Sequence, residues 1–195
     1  MQGTENLSRQ ENSSPESRSV WLEWRFWGRD LLMALGIALI IILFFYQPVK
    51  VEGTSMAPWL SDQERIFINK FVYKFEAIHR GDIVVFWYPL DPSKSFIKRV
   101  VGLPGETVEI RHGRVYINGQ FLPEPYVPAA YLDDQSYPAL RVTPGSYFVL
   151  GDHRLSSNDS RSWGTVDQRY IYGKAVFAYW PVSRFGSIEA AAAEK

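Results

Sequence analysis

The stretch LLMALGIALIIILFFYQP constrains this chain more than any other. From Leu31 to Tyr46 it carries no charge, and it is apolar all round rather than along one stripe. As a helix these sixteen residues extend about 24 Å, somewhat less than the ~30 Å hydrocarbon core of a bilayer. Flanking Trp27 and Gln47 lengthen the span, and a bilayer thins locally around a short one. Trp21, Trp24, Phe26 and Trp27 interleave with Arg18, Arg25 and Arg29 just ahead, a mixture suited to a membrane interface. Residues 31–47 therefore read as a transmembrane anchor. A cleaved leader fits poorly, because a long polar segment precedes the run and no small-x-small site follows it.

Charge sets the expected orientation. Arg9, Arg18, Arg25 and Arg29 precede the run, whereas Lys50 is the nearby base after it. Positive charge stays inside, which assigns residues 1–30 to a largely disordered cytoplasmic tail and residues 48–185 to the far side of the membrane. Residues 186–195, ending in IEAAAAEK, read as a short C-terminal tail. Lysine plus arginine equals aspartate plus glutamate at 21 each, so no global basic field recruits nucleic acid. The chain has no cysteine, which excludes disulfides, thiolate metal sites and a thiol nucleophile. His79, His112 and His153 are scattered without ligand spacing, and no metal or cofactor is expected.

The part after the anchor reads as mainly β. RIFINKF, DIVVFWY, SFIKRVV, ETVEI, RVYING, SYFVLGD and KAVFAYW are short runs of β-branched and aromatic residues between Gly and Pro clusters. EIRHGRVYI predicts a tight antiparallel hairpin turning at His112-Gly113. Residues 123–144 hold five prolines and read as an irregular excursion.

Three stretches carry possible chemistry. In VEGTSMAPWL, Gly53 permits a turn and Pro58 bars a continuing ladder, so Ser55 is held on a bend. In FIKRVVGLPGE, Lys98 sits among Phe96, Ile97, Val100 and Val101. A lysine desolvated there loses preference for its charged form, and a neutral amine accepts a proton from a serine hydroxyl. The third stretch, GDHRLSSNDSRSWG, is rich in short hydrogen-bonding side chains. Each alone has a plain structural reading: a turn serine, an edge-strand lysine and solvated loop charges.

Together, in order and behind the anchor, these motifs resemble the type I signal peptidases, membrane-bound proteases with a serine/lysine dyad. The resemblance covers most of residues 31–181 and includes RGDIVVF, INGQFLPEPYV and GKAVFAYWP. It implies an antiparallel β-sheet catalytic domain behind one transmembrane helix, in a bacterial cytoplasmic or thylakoid-type membrane. It implies Ser55 as nucleophile and Lys98 as general base. Ser157 would orient the lysine, and Asp152, Asp159 and Arg161 would brace the site through ion pairs that include Arg99. The expected substrates are signal peptides of exported preproteins, cut after small-x-small sites, and the other partner is membrane lipid.

The chain departs from the family pattern at His153 and Ser156, where many members have Asn, and at Trp59, where many have Thr. Gly53 takes the place of a serine that in some members helps hold the oxyanion, which leaves more to the Ser55 backbone N–H. His153 is a conceivable triad base, yet a dyad needs no histidine, and it reads as a loop residue. Trp59, Phe71, Tyr73, Trp87 and Tyr88 are candidates for dipping into the membrane interface. VPAA at 127–130 and the alanines at 190–193 look like small-residue cleavage sites but read as ordinary loop and tail. Competing readings are a relative with the same dyad and another target, such as a self-cleaving repressor domain or a pilus-processing peptidase, and a tethered β-domain that binds without catalysis.

Overall fold

Pro48 decides where the helix stops. Proline lacks the N–H a helix needs and pushes the preceding residue toward extended backbone. The computed structural model describes residues 16–188, and in it α1 runs Glu16–Phe45 and gives way at once to strand β1, Tyr46–Lys50. Helix therefore begins at Glu16, within the segment expected to be a disordered tail, and Tyr46 and Gln47 belong to a strand rather than to the anchor. Along α1 the side chains of Leu31, Leu32, Leu35, Ile37, Leu39, Ile40 and Ile41 are exposed. Among the described residues no helix is long and apolar enough to cross a membrane. Arg25, Arg29 and Asp30 bound the uncharged stretch on its N-terminal side. The chain separates into two units, Met1–Leu43 and Phe44–Lys195.

The second unit is mainly antiparallel β. Its strands continue as β2 Arg65–Asn69, β3 Ile83–Trp87, β4 Ser95–Gly102, β5 Thr107–Arg111, β6 Arg114–Ile117, β7 Gln120–Phe121, β8 Tyr137–Arg141, β9 Ser146–Leu150, β10 Val166–Asp167, β11 Ile171–Trp180 and β12 Gly186–Ser187. One sheet has the order β1-β2-β11-β3-β4-β9-β10, with β12 paired to β11. A smaller sheet has the order β7-β6-β5-β8. β11, late in the chain, lies between β2 and β3 and joins two halves made much earlier.

Burial follows the period-two geometry of strands. In β3, Ile83 and Val85 pack on one face with Val51, Met56, Leu60, Ile66 and Ile68. Val84 and Phe86 pack on the other with Val100, Val149 and Val166. Both faces are covered, which is why IVVF is a continuous apolar run rather than an alternating one. A third cluster, including Val101, Val108, Val115, Phe148 and Leu150, is shared by strands of the two sheets.

The hairpin forms as read, with β5 and β6 paired and His112 and Gly113 at φ 48° and 72°. The excursion is less irregular than expected, because β8 lies inside it. β8 and β1 each contain a proline, Pro138 and Pro48, and each ends its sheet's order. An edge strand tolerates the missing N–H, so proline masks these strands in the sequence without preventing them. The C-terminal boundary shifts too: β12 and the buried Ile188 belong to the fold. Residues 1–15 and 189–195, with the rest of the N-terminal tail and the alanines at 190–193, lie outside the described residues.

Of the five interface candidates, only Trp87 is exposed. The Trp59 indole donates to the Tyr126 carbonyl, Tyr73 donates to Asp82, and Tyr88 stacks on Phe96. Phe75, Leu90, Leu155, Val182 and Phe185 are the most exposed large apolar side chains among the described residues of this unit.

Candidate active site

The bend in VEGTSMAPWL is a loop between β1 and β2, closed by Val51 N–H to Glu64 O at 2.8 Å and Gln63 N–H to Val51 O at 2.9 Å. Gly53 takes φ +89°, in the region that favours glycine, and its N–H donates to Asp62 Oδ1 at 2.8 Å. Met56 and Leu60 plug into the core beneath the loop at 1% and 0% exposure. Their burial pins the turn and leaves Ser55 half-buried at its edge.

Lys98 comes from β4, paired with Val84 of β3. It is 4% exposed. Its Nζ lies 2.7 Å from Ser55 Oγ and 3.0 Å from the Ile97 carbonyl. Burial penalises the ammonium and lowers its pKa to about 8, against the opposing pull of the Asp159 and Asp152 carboxylates. The Ile97 carbonyl takes one N–H, which helps to aim the amine at the serine. A hydroxyl within hydrogen-bond reach of a neutral amine is the geometry that proton abstraction from a nucleophile requires.

The polar run after β9 packs around this pair. The Arg99 guanidinium forks onto Asp152 at 2.9 and 2.7 Å, with both side chains buried. Burial alone would lower the Arg99 pKa, but the Asp152 carboxylate outweighs it and holds the guanidinium above its ordinary value. Burial raises the Asp152 carboxyl above its ordinary value, against the opposing pull of its two charge-assisted bonds from Arg99. Burial pushes the Asp159 carboxyl up, yet the bonds from Arg161 Nε and Nη2, at 2.8 and 2.9 Å, hold it below the usual range. Asp159 also accepts from Gly151 N–H at 3.1 Å. Arg99 thus pairs with Asp152, while Arg161 pairs with Asp159.

Ser157 is the expected residue whose geometry differs. Its hydroxyl is buried beside the Asp159 carboxylate, which it helps to hold below the usual range. At Gly151 the chain passes close to both serines: a Cβ there would stand 2.2 Å from Ser157 Oγ and 2.5 Å from the Ser55 carbonyl. Only a residue without a side chain fits between the loop and the serine turn. His153 contacts the backbone of that turn. Its N–H donates to Ser55 O at 3.0 Å, and its Nδ1 lies 3.3 Å from Thr54 O.

Beside the pair opens a cleft of about 650 Å³ lined by Val49–Ser55, Ser95–Lys98, Ile66, Val85, Ser156, Asn158 and Tyr172. Its walls combine aliphatic side chains with two stretches of strand-like backbone, a shape suited to an extended peptide. No group of three or more His, Asp or Glu side chains among the described residues is placed to hold a metal ion.

Some contributors escape a reading of the sequence. Glu124, Tyr126, Tyr131 and Asp133 lie in the proline-rich excursion, yet all of them touch the polar run, Arg99 or the serine turn. The available signal was charge: an excursion carrying Glu124 and Asp133 faces a run carrying Arg154 and Arg161.

Residues 24–180 match the family model described as signal peptidase, peptidase S26. The chain belongs to the signal peptidase family S26. It is a serine peptidase, and hence a hydrolase. The match extends from within α1 through β11 and so includes Ser55, Lys98 and the polar run. Among S26 relatives, a probable signal peptidase I-1 of Synechocystis sp. is 41% identical over 81% of this chain and 83% of its own length. Signal peptidase I of Bacillus amyloliquefaciens is 39% identical over 80% and 84%. Signal peptidase I of Leptolyngbya laminosa is 39% identical over 90% and 88%. A solved signal peptidase I of Enterococcus faecalis V583 is 38% identical, covering 51% of this chain and 97% of its own with a TM-score of 0.46.

Proposed function

We propose that this protein is a membrane-anchored endopeptidase that removes signal peptides from exported preproteins with a Ser55/Lys98 dyad. The observation that carries the reading is the 2.7 Å contact between Lys98 Nζ and Ser55 Oγ at the edge of a peptide-sized cleft. In this reading neutral Lys98 takes the proton of Ser55 as Oγ attacks the scissile carbonyl. The C–N bond breaks as Lys98 returns that proton to the leaving amine. Water, deprotonated by the same amine, then cleaves the acyl-serine ester and releases the acid product. Backbone N–H groups, that of Ser55 among them, hold the oxyanion.

The supporting roles follow. The Arg99–Asp152 and Arg161–Asp159 pairs brace β4 and the polar run. The buried Ser157 hydroxyl faces Asp159, and its oxygen lone pairs are what an orienting group for the lysine amine needs. Small residues at the first and third positions before the cut suit shallow apolar sites between Val49–Ser55 and Ser95–Lys98. The anchor is the uncharged run beginning at Leu31, supported by its exposed aliphatic side chains and by the arginines ahead of it. Ser55 lies nine residues beyond Tyr46, a link of about 30 Å when extended, which keeps the nucleophile near the outer membrane surface where a signal peptide's apolar segment ends.

The deciding experiment is cleavage of a preprotein by detergent-solubilised wild type, Ser55→Ala and Lys98→Ala. Product at an Ala-x-Ala site, lost in both variants, is expected. Activity retained by Lys98→Ala overturns the base assignment, and an inert but folded wild type favours a binding domain.

A further inference from the structure

The proline-rich excursion makes more polar contacts with the site than its composition announces. Glu124 and Arg154 form a two-bond fork at 2.6 and 2.9 Å, their side chains 8% and 2% exposed. Tyr126 OH donates to Glu124 at 2.7 Å, and the ring of Tyr126 lies under the Arg99 guanidinium, 4.2 Å from carbon to centroid. Asp133 pairs with Arg161, whose Nη2 also donates to the Arg154 carbonyl at 2.9 Å. Beyond these charges, Trp59 of the serine turn donates to Tyr126 O, and Tyr131 packs edge-on against His153.

A surface excursion has no need to bury an ion pair. Desolvating Glu124 and Arg154 has a cost that an isolated pair seldom recovers in stability. Their geometry points inward instead. Arg154 Nε donates to Gly151 O at 3.0 Å, and Arg154 is the residue directly after His153, whose N–H holds the Ser55 carbonyl. Asp152, on the other side of His153, holds Arg99, the neighbour of Lys98. The segment 151–154 thus touches the chain at Ser55 and next to Lys98, and Glu124 fixes it from outside.

We propose that residues 124–133 form a clamp on the S26 site, and that Glu124 is a positioning residue acting through Arg154 on the register between Ser55 and Lys98. The inference rests on the dyad reading above. The clamp contributes no atom to the chemistry. It keeps the serine turn and β4 at the separation at which a proton crosses, a setting where an error of about 1 Å costs on the order of a hundredfold in rate.

The test uses the full-length protein in detergent micelles and an internally quenched peptide with an Ala-x-Ala site. Glu124→Gln is expected to lower kcat about tenfold or more with KM within about twofold, because the cleft keeps its lining. A purely structural role predicts something else. The double variant Glu124→Leu/Arg154→Met replaces the buried pair by apolar side chains and restores the melting temperature. The clamp predicts that kcat stays low there. Wild-type kcat in a folded Glu124→Gln, or in the double variant at wild-type melting temperature, overturns it. Should neither fold, Tyr126→Phe decides, since it removes one hydroxyl and keeps the ring: a loss of about threefold supports the clamp, and an unchanged kcat refutes it. A folded wild type that cannot cleave the peptide overturns the dyad reading and the clamp with it, whereas an active wild type with an unimpaired Glu124→Gln overturns the clamp alone.

Discussion

In the proposed dyad, Lys98 is a side chain costly to the fold and necessary to the chemistry. With its pKa lowered to about 8 by burial, about a tenth of the amine is neutral at pH 7 and about nine-tenths at pH 9. In that reading the neutral form is the base, so kcat/KM should rise about tenfold per pH unit below 8 and level off above it, as measured by peptide cleavage from pH 6 to 10. A flat profile would remove Lys98 from the mechanism. The same shift has a consequence for stability. In the folded state the amine loses its proton near pH 8, in the unfolded chain near 10.5. Between the two the unfolded state binds more protons, so stability rises with pH across that window, and below it the buried charge costs about 3 kcal/mol. Lys98→Met should therefore raise the melting temperature at pH 7 by several degrees while lowering turnover at least about a thousandfold. A destabilised Lys98→Met would mean that the contacts of the amine outweigh its desolvation. Ser55 and Lys98 stood out in the sequence only as parts of ordered motifs behind an uncharged run, since each alone reads as a turn serine or an edge-strand lysine. Glu124 did not, because its oddity lies in a partner thirty residues away.

At the level of elements, legibility depended on how many faces a strand buries. β3 and β9 carry the apolar runs IVVFW and YFVL because both their faces are covered, and periodicity finds such strands easily. β1 and β8 sit at sheet edges, alternate weakly and contain proline, so their strand character comes from the neighbour they pair with. Phe148 on β9 is fully buried in the cluster shared by the two sheets. Phe148→Ala should cost about 4 kcal/mol. Urea unfolding would register this as a lower midpoint with an unchanged slope. A cost under about 1 kcal/mol would show that the smaller sheet packs loosely on the larger. Gly102 on β4 points to tight packing, since a Cβ there would lie 2.4 Å from Val108 Cγ2.

For the molecule as a whole, all three core clusters lie in residues 51–188. Removing residues 1–43 should leave a unit that keeps its melting temperature within a few degrees and cleaves a short peptide within about threefold of the full chain. Its recovery with lipid vesicles in a flotation assay should fall sharply. Loss of folding on truncation would place part of the core's support in α1, and undiminished flotation would assign membrane attachment to Phe75, Val182, Phe185 and their exposed neighbours. The sequence set an uncharged run apart from a β-rich part, through the contrast between that run and short strands between turns. It could not reveal the strand order, because that order is set by pairings between distant segments.

That order has a consequence for biosynthesis. A ribosome delivers the Ser55 segment first, Lys98 later, and β11 later still. Until β11 is made, no hydrogen-bonded ladder joins β2, which follows the serine turn, to β3 and β4, which carry the lysine. A nascent or prematurely terminated chain thus owns both groups of the proposed dyad without the ladder that joins their strands. Hydrolysis by the proposed dyad is expected only once β11 has closed the sheet, so a chain that stops earlier should be inert.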